Sequence, residues 1–230
     1  MNRRRVALAA GSSALLLLLL VPLVGGHGVG DDDAAFLAGN EGLNVGPFMY
    51  LGAKHMVTGY DHLLFLVGVI FFLYKPRDIG IYVSLFTLGH SVTLLVGVLA
   101  DVPANSYLVD AVIGASVVYK GFDNLGGWQK LFGKQPDSRK AVLLFGLVHG
   151  FGLATKVQDL GLSEKGLVGN LLAFNVGVEL GQATALAAIL LAITYWRRSP
   201  TYLRFATVTN ALLMLGGFLL VGFQLGGYFS

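Results

Sequence analysis

PFMYLGAKHMVTGYDHLLFLVGVIFFLY, residues 47–74, is long and apolar enough to cross a bilayer, yet it carries His55, Asp61 and His62. A tilted helix needs roughly 17–25 residues to span ~30 Å of hydrocarbon. An ionisable group inside that layer costs on the order of 3 kcal/mol even by lenient insertion scales. His55 and His62 are seven positions apart, so a regular helix puts them on one face, two turns apart. At that separation they do not chelate one ion, and they become successive stations along a path. A break at Gly59 would bring them together. Asp61 is placed either to ligate directly or to hold a histidine ring from behind.

Five more apolar segments follow, at 79–100, 106–122, 141–157, 167–196 and 202–229. The chain is 55% apolar and 13% charged, with a mean hydropathy of +0.70. Soluble domains carry about 25% charged residues. The sequence therefore predicts an all-α integral membrane protein, a six-helix bundle spanning 47–230. Its 32 glycines suit close helix packing in lipid. With no cysteine there is neither a disulfide nor a thiolate metal site. The net charge of +3 follows the membrane joints and does not point to nucleic acid.

Residues 1–26 read as a secretory signal: Arg3, Arg4 and Arg5 precede an apolar run, and Gly25-Gly26 offers a cleavage position. Cleavage there leaves residues 27–46 as a polar extracytoplasmic stretch. The rival reading is an uncleaved helix. Lys75 and Arg77 follow the first segment. Lys120, Lys130, Lys134, Arg139 and Lys140 surround the third joint, and Arg197, Arg198 and Arg204 the fifth. The alternate joints, 101–105 and 155–165, carry no such excess. Positive-inside bias puts the basic joints in the cytoplasm and both mature termini outside an inner, multi-pass membrane protein.

Counted from these boundaries, His62, His90, His149 and Glu179 share one slab of the membrane with His55. Imidazole and carboxylate are ligands of divalent transition metals, so His55, Asp61, His62, His90, His149 and Glu179 form the candidate metal set. Thr87 and Ser91 flank His90 at helical spacing, and Asn175 and Gln182 extend a polar stripe through Glu179. These four read as groups orienting the ligands or lining a path. The alternatives are back-bonding to their own helices and interhelical hydrogen bonds. Asp110 lies near the outer end of the third segment, either in a vestibule or simply wetted at the interface. His27, Asp31, Asp32 and Asp33 offer an outer collecting site, or a solvated tail. Gly52-Ala-Lys-His55 echoes Gly146-Leu-Val-His149, and Phe86-Thr-Leu-Gly89 echoes Phe174-Asn-Val-Gly177. The echoing segments run in opposite directions, as an inverted three-plus-three repeat requires.

At these motifs the chain resembles the HupE/UreJ family of hydrogenase- and urease-associated membrane proteins, in particular its second, broader branch. The matching strings are Gly52-x-x-His55-x-x-x-Gly59-Tyr-Asp61-His62-Leu-Leu-Phe65, Phe86-Thr-Leu-x-His90-Ser91-x-Thr93-Leu94, Phe145-Gly146-Leu-x-His149-Gly150-x-Gly152 and Phe174-Asn175-x-Gly177-Val178-Glu179-Leu-Gly181-Gln182. The likeness covers nearly the whole chain after Asn44. The His-x-x-x-Gly-x-Asp-His string also resembles the His-Asp-His motif of nickel/cobalt permeases. The chain departs from the hydrogenase-linked branch in lacking Pro after His55 and Ala-Met after Asp61-His62. The resemblance implies a nickel permease, with cobalt as the other cargo, supplying a metalloenzyme.

Neutral imidazoles suit nickel, cobalt, zinc or copper, whereas magnesium and calcium prefer oxygen shells. Protonation of the histidines would release the metal, so uptake is expected to fall below about pH 6.5, the ordinary imidazole pKa. The rival reading is a membrane-embedded zinc hydrolase on the same cluster, with Ser91, Asp61 or Glu179 as acid or base. A bis-histidine haem protein fits less well, because carboxylates beside the haem ligands are unusual.

Overall fold

A computed structural model of the chain describes residues 42–159 and 165–230. The expected signal sequence lies outside the described residues, as do His27, Asp31, Asp32 and Asp33. The described residues fold as helices: α1 (Val45–Thr58), α2 (Tyr60–Ile70), α3 (Pro76–Leu99), α4 (Ser106–Asn124), α5 (Gly127–Phe132), α6 (Ser138–Asp159), α7 (Leu167–Arg197) and α8 (Thr201–Phe229). Among them α3, α7 and α8 are long and apolar enough to cross a membrane, and α2 is a shorter apolar helix. Charges dilute the hydropathy of two others. Asp110, Lys120 and Asp123 sit in α4, and Arg139 and Lys140 open α6.

Segment 47–74 breaks at Gly59, one of the two arrangements its sequence left open: α1 ends at Thr58 and α2 begins at Tyr60. Gly59 joins them in an extended conformation (φ −71°, ψ 104°) that L-residues also adopt, so backbone strain does not select glycine here. Space does. A Cβ at Gly59 would stand 2.7 Å from His62 Nδ1, 3.0 Å from the His55 carbonyl oxygen and 3.1 Å from Asp61 Oδ1. The Gly59 N–H still donates to the His55 carbonyl at 2.9 Å, and the Gly59 carbonyl accepts from Leu63 N–H at 3.0 Å. Both helices therefore hydrogen-bond to Gly59, and Asp61 Oδ1 takes the His62 N–H that the break leaves open.

Three helix pairs build the bundle: α1 on α7, α3 on α6, and α4 on α8. Glycines set each crossing, since close backbone approach is what small residues supply where water gives no driving force between helices. In the α4–α8 pair a Cβ on Gly114 would lie 3.1 Å from the Gly217 carbonyl oxygen, and one on Gly217 2.8 Å from that of Gly114. Polar groups lock the ends. Arg197 donates to the Ile70 and Phe71 carbonyls at 2.7 Å each, satisfying acceptors left open where α2 stops. Asn124 donates to the Gly68 carbonyl and to Asn210, both at 2.8 Å. Asn170, near the start of α7, donates to the Gly42 carbonyl and accepts from Asn44 N–H, again at 2.8 Å each.

Lys120 departs from the part expected of it. Counted from sequence among the charges around a joint, it is buried and pairs with buried Asp123 at 2.5 Å. Ser138 donates to the same carboxylate at 3.1 Å, and Gln135 donates to its other oxygen. A buried pair holds only when its remaining lone pairs are satisfied, and these two donors satisfy them. The short helix α5, bounded by Gly126 and Gly133 in the left-handed region, was not legible from the hydropathy pattern.

Candidate metal centre

The break at Gly59 decides the geometry of the site. His55 closes α1 and His62 opens α2, so the two imidazoles turn toward each other with ring centroids 5.0 Å apart. His62 then meets His90 of α3 at 6.0 Å and His149 of α6 at 5.0 Å. Four helices thus deliver four imidazoles, with three of them around that of His62. His90, His149 and His62 are at most 3% exposed, and His55 is half-buried.

One ligand nitrogen each from His55, His62 and His90 falls within 4.8 Å of the others. Ligands on a tetrahedral ion with ~2.1 Å bonds stand roughly 3.4 Å apart, so the trio closes on an ion with side-chain movement of about an ångström. Proton placement agrees. His62 Nδ1 lies 2.8 Å from Asp61 Oδ1 and donates to it, which leaves the lone pair on Nε2. His149 Nδ1 donates to the Phe145 carbonyl at 2.7 Å, which again puts the lone pair on Nε2. Buried His62 Nε2 and both ring nitrogens of His90 have no hydrogen-bond partner. Leaving such groups unmatched costs roughly 1–3 kcal/mol each, and a cation shared among imidazoles would satisfy them.

The other candidates divide. Asp61 is buried beside His62 as a supporting carboxylate, its Oδ1 also accepting the His62 backbone N–H at 2.7 Å. Thr87 donates to buried Gln182 of α7 and lies 3.1 Å from its own helix carbonyl at Val83. Asn175 is buried with neither amide atom hydrogen-bonded. Ser91 is half-buried, and it is Thr93 whose hydroxyl reaches across to α6, at 2.6 Å from the Leu147 carbonyl. Glu179 is not brought to the imidazoles: it sits on the exposed face of α7 with Leu172, Val176 and Leu180. Asp110 is half-buried near the start of α4, where Gln224 donates to it at 3.4 Å.

Aromatic side chains enclose the imidazoles, and sequence reasoning passed over them. The Phe86 ring lies 4.9 Å from His149, 6.1 Å from His62 and 6.2 Å from His90. Phe65 packs on His149 at 5.5 Å and Phe174 on His55 at 6.1 Å. The available signal was spacing, since Phe86 precedes His90 by one helical turn. A narrow cavity reaches His62 and Gln182 between walls that include Phe86, Val69, Tyr82, Val83 and Val142.

No curated protein and no solved structure matches the chain. One family does, described as HupE / UreJ protein, over residues 31–230. That span covers most of the chain and holds all four imidazoles of the cluster with the helices that deliver them; the chain belongs to the HupE/UreJ family.

Proposed function

We propose that the chain is a permease for a divalent transition metal, nickel or cobalt before zinc, which it carries through an imidazole site inside the membrane. The observation that carries this reading is His90, fully buried among three other histidines with both ring nitrogens unmatched. His55, His62 and His90 bind the cation, His149 stands beside them as a further donor, and Asp61 fixes the His62 tautomer. Six membrane crossings, with α1 and α2 forming the first, put the joints rich in Lys and Arg in the cytoplasm and both termini outside. Under this reading the polar stretch after the signal sequence, with His27 and Asp31 to Asp33, gathers metal on the outer side. Thr87, Gln182 and Asn175 line the route.

What the cluster contains favours transport over hydrolysis. A catalytic zinc needs an acid or base beside its open position. Glu179 stands on the exposed face of α7, and Asp61 is engaged by His62. Membership of the HupE/UreJ family points the same way. The test is metal content of the purified protein together with uptake of Ni²⁺, Co²⁺ and Zn²⁺ into proteoliposomes. Saturable uptake that is lost in His62→Ala and His90→Ala, both still monodisperse, is expected. A tightly held zinc with no flux of any of the three metals would defeat the permease reading.

A further inference from the structure

Two of the three helix pairs repeat one another at three close contacts. In the α1–α7 pair, a Cβ on Gly52 would lie 2.0 Å from the Phe174 carbonyl oxygen, one on Gly177 1.9 Å from that of Met49, and one on Gly181 2.6 Å from that of Ala53. In the α6–α3 pair, a Cβ on Gly146 would lie 2.4 Å from the Phe86 carbonyl oxygen and one on Gly89 2.6 Å from that of Leu143. Thr93 supplies the third contact through its bond to the Leu147 carbonyl. Met49, Gly52, Ala53 and His55 thus step along α1 as Leu143, Gly146, Leu147 and His149 step along α6. Phe174, Gly177 and Gly181 step along α7 as Phe86, Gly89 and Thr93 do along α3. Within each pair the two helices are parallel. The pairs oppose each other, because α3 begins where α2 ends, around the cavity that Val69 and Tyr82 share.

This correspondence makes Phe86 and Phe174 equivalents, and each covers an imidazole: Phe86 that of His149, Phe174 that of His55. Their surroundings differ. On the Phe86 side the cavity runs between half-buried Tyr82 and Val83 and buried Val142. The equivalent positions on the Phe174 side are Asn170, Leu171 and Phe48, each at most 3% exposed, with Asn170 clamped to Gly42 and Asn44. The bundle is packed shut at one end and keeps at the other a small space beside His62, with room for about one water. Inverted repeats around a midplane site exchange such conformations when access alternates.

We propose that Phe86 and Phe174 are the two gates of the imidazole site. Phe86 walls the cavity that already reaches His62 from the end carrying Lys75 and Arg77, so this gate stands open. Phe174, backed by Phe48, Leu171 and the Asn170 clamp, seals the opposite end. The proposal rests on the permease reading and identifies the moving parts of that same site.

The absence of cysteine makes the test clean, since Val83→Cys and Leu171→Cys each add a lone thiol to the full chain. Labelling by a membrane-impermeant thiol reagent is followed from each face of oriented proteoliposomes. Val83→Cys should label from the Lys75 face, and Leu171→Cys should resist labelling from both. Adding Phe174→Ala should speed labelling of Leu171→Cys from the face opposite Lys75 by roughly tenfold or more, as expected for a shifted gate population, while Phe174→Leu keeps the plug and labels like its parent. Phe86→Ala should speed escape of preloaded Ni²⁺ toward the Lys75 face alone. The gate assignment is overturned if Leu171→Cys stays protected beside Phe174→Ala, or if both Phe→Ala changes open the same face. Absence of metal uptake by the unmodified chain would sink the permease reading instead, and sided labelling still reports the gates in that case.

Discussion

Asp61 Oδ1 binds His62 twice, at 2.8 Å to the ring Nδ1 and at 2.7 Å to the backbone N–H. The second contact fixes the carboxylate at the first turn of α2, so the first can fix the ring. A carboxylate behind an imidazole raises ligand basicity and sets which nitrogen faces the metal, and removing such support lowers metal affinity by about 10–100-fold. Asp61→Asn is therefore expected to weaken Ni²⁺ or Co²⁺ binding by that factor, read by titration calorimetry in detergent, with no change in helicity. Unaltered affinity would mean that Asp61 serves the helix start alone.

Gly59 is required by its neighbours rather than by its own backbone angles. In Gly59→Ala the new methyl would lie 2.7 Å from His62 Nδ1 and 3.1 Å from Asp61 Oδ1, which must separate to admit it. Metal affinity should fall at least as far as in Asp61→Asn, and the two losses should not add, because both act through the same contact. Calorimetry on the two single variants and the double variant measures that coupling.

The fold and the site were legible from sequence to different depths. Hydropathy placed α3, α7 and α8 within a few residues, because an apolar run long enough to cross a bilayer has few alternatives. The histidines were legible as a set because imidazoles are rare in such runs. Orientation around a helix was not. Glu179 follows Asn175 by four positions and precedes Gln182 by three, so it reads as part of one stripe. Yet α7 buries Asn175, Val178 and Gln182 and leaves Glu179 exposed, since the Gly177 and Gly181 contacts with α1 fix its rotation. Lys120 misled for a related reason: its partner Asp123 lies one turn on, and only the fold shows Gln135 and Ser138 closing over both.

His90 offers a prediction in which stability and function move in opposite directions. Its imidazole is buried without a hydrogen bond on either nitrogen. Leucine fills a similar volume without polar atoms. His90→Leu should abolish metal binding and stabilise the metal-free protein by about 1–3 kcal/mol, at least the cost of one unmatched polar group. Thermal unfolding in detergent with a chelator present, compared with the parent, reads the second effect. A lower midpoint would show that the imidazole is held by a structural bond.

Acidity should act on the cargo rather than on the fold. Metal binds the neutral imidazole and competes with a proton for the same lone pair. Lowering the pH therefore weakens binding, and raising it strengthens binding until every ligand is neutral. With one imidazole in competition the apparent affinity falls by about tenfold per pH unit on the acid limb, and more steeply with several. Initial uptake rates at fixed free Ni²⁺ across a pH series, with the proton gradient collapsed, should decline toward acid. A flat profile would argue against histidine ligands.

Glu179 separates a reading of spacing from a reading of geometry. If the helical stripe were the guide, Glu179→Gln would cost the site a ligand and most of its affinity. In the structure the carboxylate lies on the exposed face of α7 beside Val176 and Leu180, away from the face that buries Val178 against α1. Metal affinity in Glu179→Gln is therefore expected to stay within about twofold of the parent, as for substitutions far from a site. His55→Gln, on the facing helix, should lose affinity by tenfold or more, because one of three clustered nitrogens is gone. Titrating both variants with Co²⁺ and following the ligand-field absorption reports the coordination shell directly. A changed spectrum in Glu179→Gln would mean that α7 rotates to bring the carboxylate inward when metal binds.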